Sequence, residues 1–131
     1  MSHDEIFAFL SSHRFAIVST VSGTGKPQSA VVGIAVTPAL DIIFDTLRTS
    51  SKARNLLDRP AASLVVWREE ITVQYEGVSQ ELDESLEQYK EAYFQVFPDG
   101  RERQSWPGIC YFVLRPRWIR YSGLQPAAAW H

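Results

Sequence analysis

Short apolar runs and stretches that alternate apolar and polar residues, both typical of β-strands, recur along most of this chain. The alternation is clearest from Ile71, where Ile71, Val73 and Tyr75 share one predicted face and Thr72 and Gln74 share the other. Six strands are predicted from these patterns, over residues Phe15–Val21, Pro27–Val36, Ile42–Phe44, Ala61–Trp67, Ile71–Leu82 and Ile109–Leu114.

Proline and glycine modify two of these predicted strands. Pro116 interrupts the last strand. Because proline lacks the N–H that a sheet ladder needs, the continuation over Trp118–Tyr121 is predicted to be an edge or bulged segment. Gly77 is predicted to mark a bulge in the preceding strand.

Three segments have signals of α-helices instead. Ser2 and Glu5 form a predicted capping box at the start of the first helix. A short helix over Lys52–Leu57 ends before Pro60. A third helix is predicted over Asp83–Phe97, where apolar residues recur at three- and four-residue steps. Its apolar stripe, for which core packing is predicted, consists of Leu82, Leu86, Tyr89, Tyr93 and Phe97.

The order of these elements predicts the fold class. Six strands at short spacing, with one helix after the third strand and another before the last, predict a mainly β protein with flanking helices, built on a six-stranded antiparallel barrel. The polar stretch Arg101–Gly108 is predicted to be a loop, and residues 123–131 a loose tail. At 131 residues, the chain is predicted to form a single domain over residues 1–131.

Composition excludes several classes of function. A hydrophobic content of 45% argues against disorder, and a net charge of −2 predicts no nucleic-acid or membrane partner. Apolar runs stay well short of the roughly 20 residues of a membrane helix. The polar, acidic N-terminus and the single cysteine, Cys110, predict a cytoplasmic protein. The three histidines lack metal-ligand spacing, so no metal site is predicted.

Candidate chemistry is concentrated in the turn between the third strand and the short helix. Four hydroxyl groups, on Thr46, Thr49, Ser50 and Ser51, precede Lys52. The N–H groups at a helix start are unpaired, and the helix dipole favours an anion there. Because a phosphate monoester carries nearly two charges and several acceptor oxygens, the turn is predicted to bind a phosphate. A simpler alternative, in which Thr49 or Ser50 only caps the helix, stays open.

The second predicted strand has small side chains over residues 29–35. Small residues, with Gly33 among them, permit a flat ring to approach the backbone closely. An ordinary packed barrel strand explains the same residues equally well, and both interpretations stay open.

These residues belong to a longer series whose order and spacing are informative together. The series comprises Phe15–Thr20, Gly25–Ser29, Ile43–Thr46, Ser50–Leu56 and Arg59–Val66. In this order it resembles the pyridoxamine 5′-phosphate oxidase-like family, the FMN-binding split barrels, from Phe15 to about Gly77. The resemblance implies that the turn at Lys52 binds the phosphate of FMN and that the second strand contacts the flavin ring.

The resemblance also implies a homodimer with its cofactors at the subunit interface. Trp67, Trp106 and Trp118 are predicted interface anchors, because tryptophan is enriched at interface hot spots. The candidate cofactor-binding residues are Ser29, Ala30, Val31, Val32, Asp45, Thr46, Thr49, Ser50, Ser51, Lys52, Thr72, Gln74 and Trp106.

The chain departs from the pattern of the true pyridoxamine phosphate oxidases. Those enzymes carry Arg and Lys on the second strand, where this chain has Ala30 and Ala35, and an Arg where it has Ser51. Their C-terminal pattern also matches Arg117–Tyr121 poorly. The resemblance therefore implies a flavoprotein that does not oxidise pyridoxamine phosphate. Since no side chain stands out as an acid or base, no catalytic residue is predicted.

Three functional hypotheses stay open. The first is an FMN-dependent oxidoreductase acting on an unknown small substrate, in which the flavin carries out the redox chemistry. The second is a flavin carrier, sensor or stress protein without turnover. The third is a relative that binds deazaflavin or haem, as some members of the superfamily do.

Overall fold

The computed structural model describes residues 1–123, and most of the predicted tail lies outside them. The helices are α1 (His3–Ser11), α2 (Ser51–Asp58) and α3 (Glu87–Val96), with 3₁₀ segments over Glu84–Leu86 and Pro98–Ser105. The strands are β1 (Phe15–Val21), β2 (Pro27–Gly33), β3 (Ala35–Val36), β4 (Ile42–Leu47), β5 (Ala61–Arg68), β6 (Ile71–Glu81) and β7 (Ile109–Ser122).

The strands form one antiparallel sheet in the order β2-β1-β5-β6-β7-β4-β3. β2 and β3 lie at opposite edges of this sheet, although only Ile34 separates them in the chain. The sheet must therefore curl until its two edges approach each other. This arrangement confirms the predicted mainly β, split-barrel fold with flanking helices.

The strand count differs from the prediction because the predicted strand Pro27–Val36 breaks at Ile34, which gives seven strands instead of six. The side chain of Ile34 is fully buried, and its N–H donates to the carbonyl oxygen of Arg14 at 2.8 Å. Burial of Ile34 thus holds the chain where it passes from one edge of the sheet to the other.

β7 lies between β6 and β4, but only its first half pairs with β4. Its second half pairs with β6 alone and follows a bulge, as predicted for an edge or bulged segment. Pro116 is tolerated there because the pairing of β7 with β4 stops at Leu114. Beyond that residue, one side of β7 needs no ladder N–H.

The predicted bulge is confirmed, but its extra residue belongs to β7. The register shifts between Glu76 and Gly77 of β6, which leaves Arg117 of β7 without a partner opposite it. A Cβ on Gly77 would lie 2.7 Å from the carbonyl oxygen of Arg115, so glycine is required at this close approach.

α3 packs on the sheet through the predicted apolar stripe, which confirms its structural role: Tyr93 and Phe97 are buried, and Tyr89 lies at the margin of the same cluster.

The predicted loop Arg101–Gly108 is wrong in its first half, because a 3₁₀ segment runs from Pro98 to Ser105. Proline suits the first turn of such a segment, where its missing N–H needs no partner. Within residues 1–123, no helix has both the length and the apolar content that crossing a lipid bilayer requires.

Candidate functional site

The turn between β4 and α2 is held by a hydroxyl pair. Ser50 is the N-cap of α2, with φ −70° and ψ 154°, and its Oγ accepts a hydrogen bond from the Ala53 N–H at 3.2 Å. The Oγ1 of Thr46 lies 2.9 Å from the same Ser50 oxygen. The predicted capping of the helix by Ser50 is therefore confirmed. The helix begins at Ser51, one residue earlier than predicted, because Ser50 caps it.

The next two residues, Ser51 and Lys52, remain available for a ligand. Both line a cavity of about 100 Å³ between α2 and the start of β2. As the first residues of α2, they carry backbone N–H groups that have no partner within the helix. The other lining residues are Val18, Thr20, Gln28, Ser29 and Ala30. We call this space the phosphate cavity, after the ligand that the sequence predicts for it.

A buried amide positions the walls of the phosphate cavity against each other. The Nδ2 of Asn55 on α2 donates to Thr20 Oγ1 at 2.9 Å and to Gln28 Oε1 at 2.8 Å. Because the Gln28 oxygen is an acceptor in this contact, its amide nitrogen remains a donor for a ligand. Asn55 follows Ser51 by four residues and Lys52 by three, so it lies on the same face of α2.

Sequence reasoning missed these residues, although a signal for one of them was present. The signal is spacing: Asn55 follows the candidate binding residues Ser51 and Lys52 by one helical turn, which places it on their face of the helix. Thr20 and Gln28 come from β1 and β2, and only the fold brings them to α2.

The electrostatics of the phosphate cavity favour an anion. The Lys52 ammonium and the neighbouring Arg54 guanidinium make no hydrogen bond or ion pair within residues 1–123. The cavity lining contributed by the described residues contains no carboxylate. The carboxylate of Asp58, at the other end of α2, pairs with Arg59 at 3.2 Å. The start of α2 thus carries uncompensated positive charge.

The four predicted residues of β2 are divided among three environments. Ser29 and Ala30 line the phosphate cavity. Val31 is 67% exposed on the outer face of the sheet, whereas Val32 is buried in the core. The hydroxyl of Ser29 also contacts that of Ser19 on β1 at 2.8 Å, which links the cavity to the outer face.

The predicted residues of β6 lie away from Lys52. Thr72 contacts the Ser122 hydroxyl at 2.7 Å. Gln74 lines a depression of about 340 Å³ on the outer face, together with Trp118 and Arg120. The structure therefore does not bring Thr72 and Gln74 together with the phosphate cavity in one chain.

Asp45 lies outside the lining of the phosphate cavity and anchors α3 instead. Its carboxylate accepts hydrogen bonds from the Tyr93 hydroxyl at 3.0 Å and from Arg103 Nε at 3.1 Å. Burial, with the neighbouring Asp45 charge, raises the pKa of Tyr93, so its hydroxyl stays protonated and donates. Thr49 and Trp106 are both exposed, and Trp106 follows the 3₁₀ segment that Arg103 holds in place.

Histidine and cysteine are common metal ligands in proteins. In the described part of the chain, these residues have other contacts or are buried. Both ring nitrogens of His13 face carbonyl oxygens, those of Phe9 at 2.7 Å and Trp67 at 3.1 Å. His3 Nε2 lies 2.8 Å from the Pro38 oxygen. Cys110 is buried, and that burial raises the pKa of its thiol. His131 lies outside the described residues.

The outer face of β2, β1, β5, β6 and β7 carries several large exposed apolar side chains. Strand alternation and register place Phe15, Val31, Trp67 and Trp118 on this face, which we call the outer apolar face. Their exposures are 59%, 67%, 51% and 36%. Two of the three predicted anchor tryptophans, Trp67 and Trp118, thus share one surface. Exposed apolar patches of this kind mark interaction sites.

The chain matches the sequence model of a known family, described as pyridoxamine 5′-phosphate oxidase, over residues 2–123. No curated protein sequence matches it significantly.

Solved structures share its fold. A haem-binding protein from Mycobacterium smegmatis superposes with a TM-score of 0.82 at 18% identity, covering 92% of this chain and 53% of that protein. The haem storage protein from Vibrio cholerae gives 0.76 at 16% identity, covering 88% and 91% of the two chains. An FMN-binding, pyridoxamine 5′-phosphate oxidase-related protein from Nostoc punctiforme gives 0.68 at 16% identity, covering 88% and 76%. At such identities, these likenesses establish the fold and no function.

Proposed function

This chain belongs to the pyridoxamine 5′-phosphate oxidase family, and we propose that it is a cytoplasmic, homodimeric flavoprotein that holds FMN by its phosphate at the start of α2. One observation carries the proposal: within residues 1–123, an unpaired ammonium, a hydroxyl and free helix N–H groups meet in one cavity that has no carboxylate in its lining. FMN is the flavin whose terminal group matches these donors.

The residues of the phosphate cavity suit a phosphate monoester. Lys52 supplies charge, Ser51 and the first N–H groups of α2 supply hydrogen bonds, and the Gln28 amide supplies another donor. Charge-assisted hydrogen bonds to such groups are shorter and stronger than neutral ones. Ser50 and Thr46 have an indirect role: the contact between their hydroxyls fixes the start of α2 and so positions the phosphate donors.

The flavin ring has to lie outside this cavity. Its volume of about 100 Å³ is small compared with the roughly 300–1,000 Å³ of pockets that hold whole cofactors. The adjoining surface is β2, an edge strand whose Ser29 and Ala30 border the cavity. The ring therefore extends along β2, toward the outer apolar face.

The homodimer we propose is formed through the outer apolar face. A second copy of the chain would bury Trp67, Trp118 and Val31, and it would cover the exposed edge formed by β2. Because the phosphate cavity adjoins the same edge, the partner would complete the cofactor site. This arrangement supports a cofactor at the subunit interface.

We propose FMN-dependent oxidoreduction of a small substrate as the activity. When bound, the flavin supplies the electron and hydride transfer, and this chain positions it and shields it from water. A flavin carrier or sensor without turnover is the second candidate. It is favoured by one observation, that among residues 1–123 the phosphate cavity offers Lys52 as its single ionisable group.

Haem fits the described residues less well than a flavin. Haem iron is held by His, Cys, Met or Tyr ligands. The described histidines are bonded to backbone carbonyl oxygens, and Cys110 is enclosed in the core. A deazaflavin would use the same phosphate cavity as FMN.

Parallel titrations with FMN and riboflavin test the proposal. Calorimetry on the flavin-free protein should give an FMN affinity at least about tenfold above that of riboflavin, because riboflavin lacks the phosphate. Equal affinities would contradict the phosphate assignment.

A second measurement separates the two activities. Bleaching of bound FMN by NADH or NADPH, with recovery in air, supports the oxidoreductase. A bound flavin that neither nucleotide reduces supports the carrier.

A further inference from the structure

A second cavity adjoins the phosphate cavity. It has a volume of about 350 Å³ and shares two lining residues, Gln28 and Ser51, with the phosphate cavity. Its remaining walls come from the β1–β2 hairpin, at Ser22, and from the outward side of α2, at Arg54 and Asp58. We call it the hairpin cavity.

The two cavities follow each other along β2. Residues Ser29 and Ala30 border the phosphate cavity, Gln28 borders both cavities, and Ser22 of the preceding hairpin borders only the hairpin cavity. A ligand with its ring beside Val31 and its phosphate at Lys52 would therefore point its far end into the hairpin cavity. At this end, the phosphate cavity therefore adjoins a second ligand-sized space.

The chemistry of the hairpin cavity suits a nucleotide. Its volume of about 350 Å³ lies within the roughly 300–1,000 Å³ typical of small-molecule sites. The Arg54 guanidinium, which has no protein partner within residues 1–123, can pair with a phosphate or stack on a base. Ser22 and Asp58 provide acceptors for ribose hydroxyls or a base amino group. A ligand with a long polyanionic tail would be repelled by the Asp58 carboxylate in this cavity.

We propose that the site is open-ended and accepts a flavin dinucleotide as well as FMN, with the adenylate half in the hairpin cavity and Arg54 on the second phosphate. This inference rests on the proposed function, because it takes the flavin phosphate at Lys52 as its starting point. Arg54 then determines which flavin is bound, whereas Lys52 serves both.

Calorimetric titration of the flavin-free, full-length protein with FMN and with FAD tests this. The variants are Arg54→Ala and Lys52→Ala, and the control is Arg68→Ala, an exposed arginine outside the linings of both cavities. We expect FAD to bind within about tenfold of FMN. Arg54→Ala should weaken FAD about tenfold and FMN less than about threefold, whereas Lys52→Ala should weaken both about tenfold or more.

Two results would overturn the open-ended site alone. One is an FAD affinity more than about tenfold below that of FMN in the unaltered protein. The other is an equal loss of FMN and FAD affinity in Arg54→Ala, since the hairpin cavity would then hold the monoester itself. FMN binding that is indifferent to Lys52→Ala would overturn this inference together with the proposed function.

Discussion

Replacement of Lys52 by alanine separates a ligand-binding role from a structural one. The Lys52 side chain is partly buried at the phosphate cavity and makes no hydrogen bond or ion pair within residues 1–123. Its loss should therefore leave the folded protein nearly as stable as before. The same loss removes the only cation in the described lining of the cavity, so FMN affinity should fall.

The size of the effect follows from the geometry. Two unit charges about 4 Å apart near a protein surface interact by about 4 kcal/mol. Desolvation of both groups offsets part of this, so a charge-assisted hydrogen bond contributes about 1.5–3 kcal/mol. Lys52→Ala should thus weaken FMN binding about tenfold to a hundredfold. The effect should shrink as salt rises, because the site is partly open to solvent.

Ser50→Ala is the matched comparison. Ser50 caps α2 and contacts the buried Thr46 hydroxyl, so its loss should lower the free energy of unfolding by about 1–2 kcal/mol. In a domain of this size, that corresponds to a fall in Tm of roughly 3–8 °C. Calorimetric titration and thermal unfolding of both variants give the two quantities. Unaltered FMN affinity in Lys52→Ala, or an equal affinity loss for riboflavin, would refute the reasoning.

Three further outcomes are expected. Gly77→Ala should lower the urea midpoint of unfolding by the equivalent of about 1–3 kcal/mol, whereas Gly23→Ala, whose added Cβ meets no atom within 4 Å, should change it little. Light scattering at micromolar concentration should give twice the monomer mass. Val31→Lys on the outer apolar face should halve that mass, whereas Leu57→Lys, at an exposed position of α2, should leave it unchanged. A monomeric wild-type protein would contradict the proposed interface. The flavin-loaded protein should not turn over pyridoxamine 5′-phosphate with oxygen, and steady turnover that Arg117→Ala abolishes would show a substrate-phosphate site.

Local sequence was sufficient for the parts of the fold and site that depend on neighbouring residues. The capping box at Ser2, the apolar stripe of α3 and the donor-rich start of α2 are all encoded within a few positions. The period-two pattern was likewise sufficient to place the long strands. The contact between the Ser50 and Thr46 hydroxyls could not be predicted from the sequence. Serine and threonine occur in both strands and helices, and only the fold shows which group each hydroxyl contacts.

Residues that act across elements could not be placed from the sequence. Asp45 belongs to a strand that leads into the phosphate turn, yet its side chain points to the face where α3 packs. Gln28 is remote from Lys52 in the chain and reaches the cavity because β2 lies beside α2. The break at Ile34 depends on the curl of the whole sheet, which no short stretch of sequence specifies.

The visible absorption spectrum after competitive loading tests the central claim most directly. The purified protein is incubated with equimolar FMN and haem, passed through a desalting column, and its spectrum is recorded. The phosphate cavity at Lys52 predicts that the flavin bands stay with the protein and that no Soret band does. A retained Soret band with the flavin lost to the column would contradict the account.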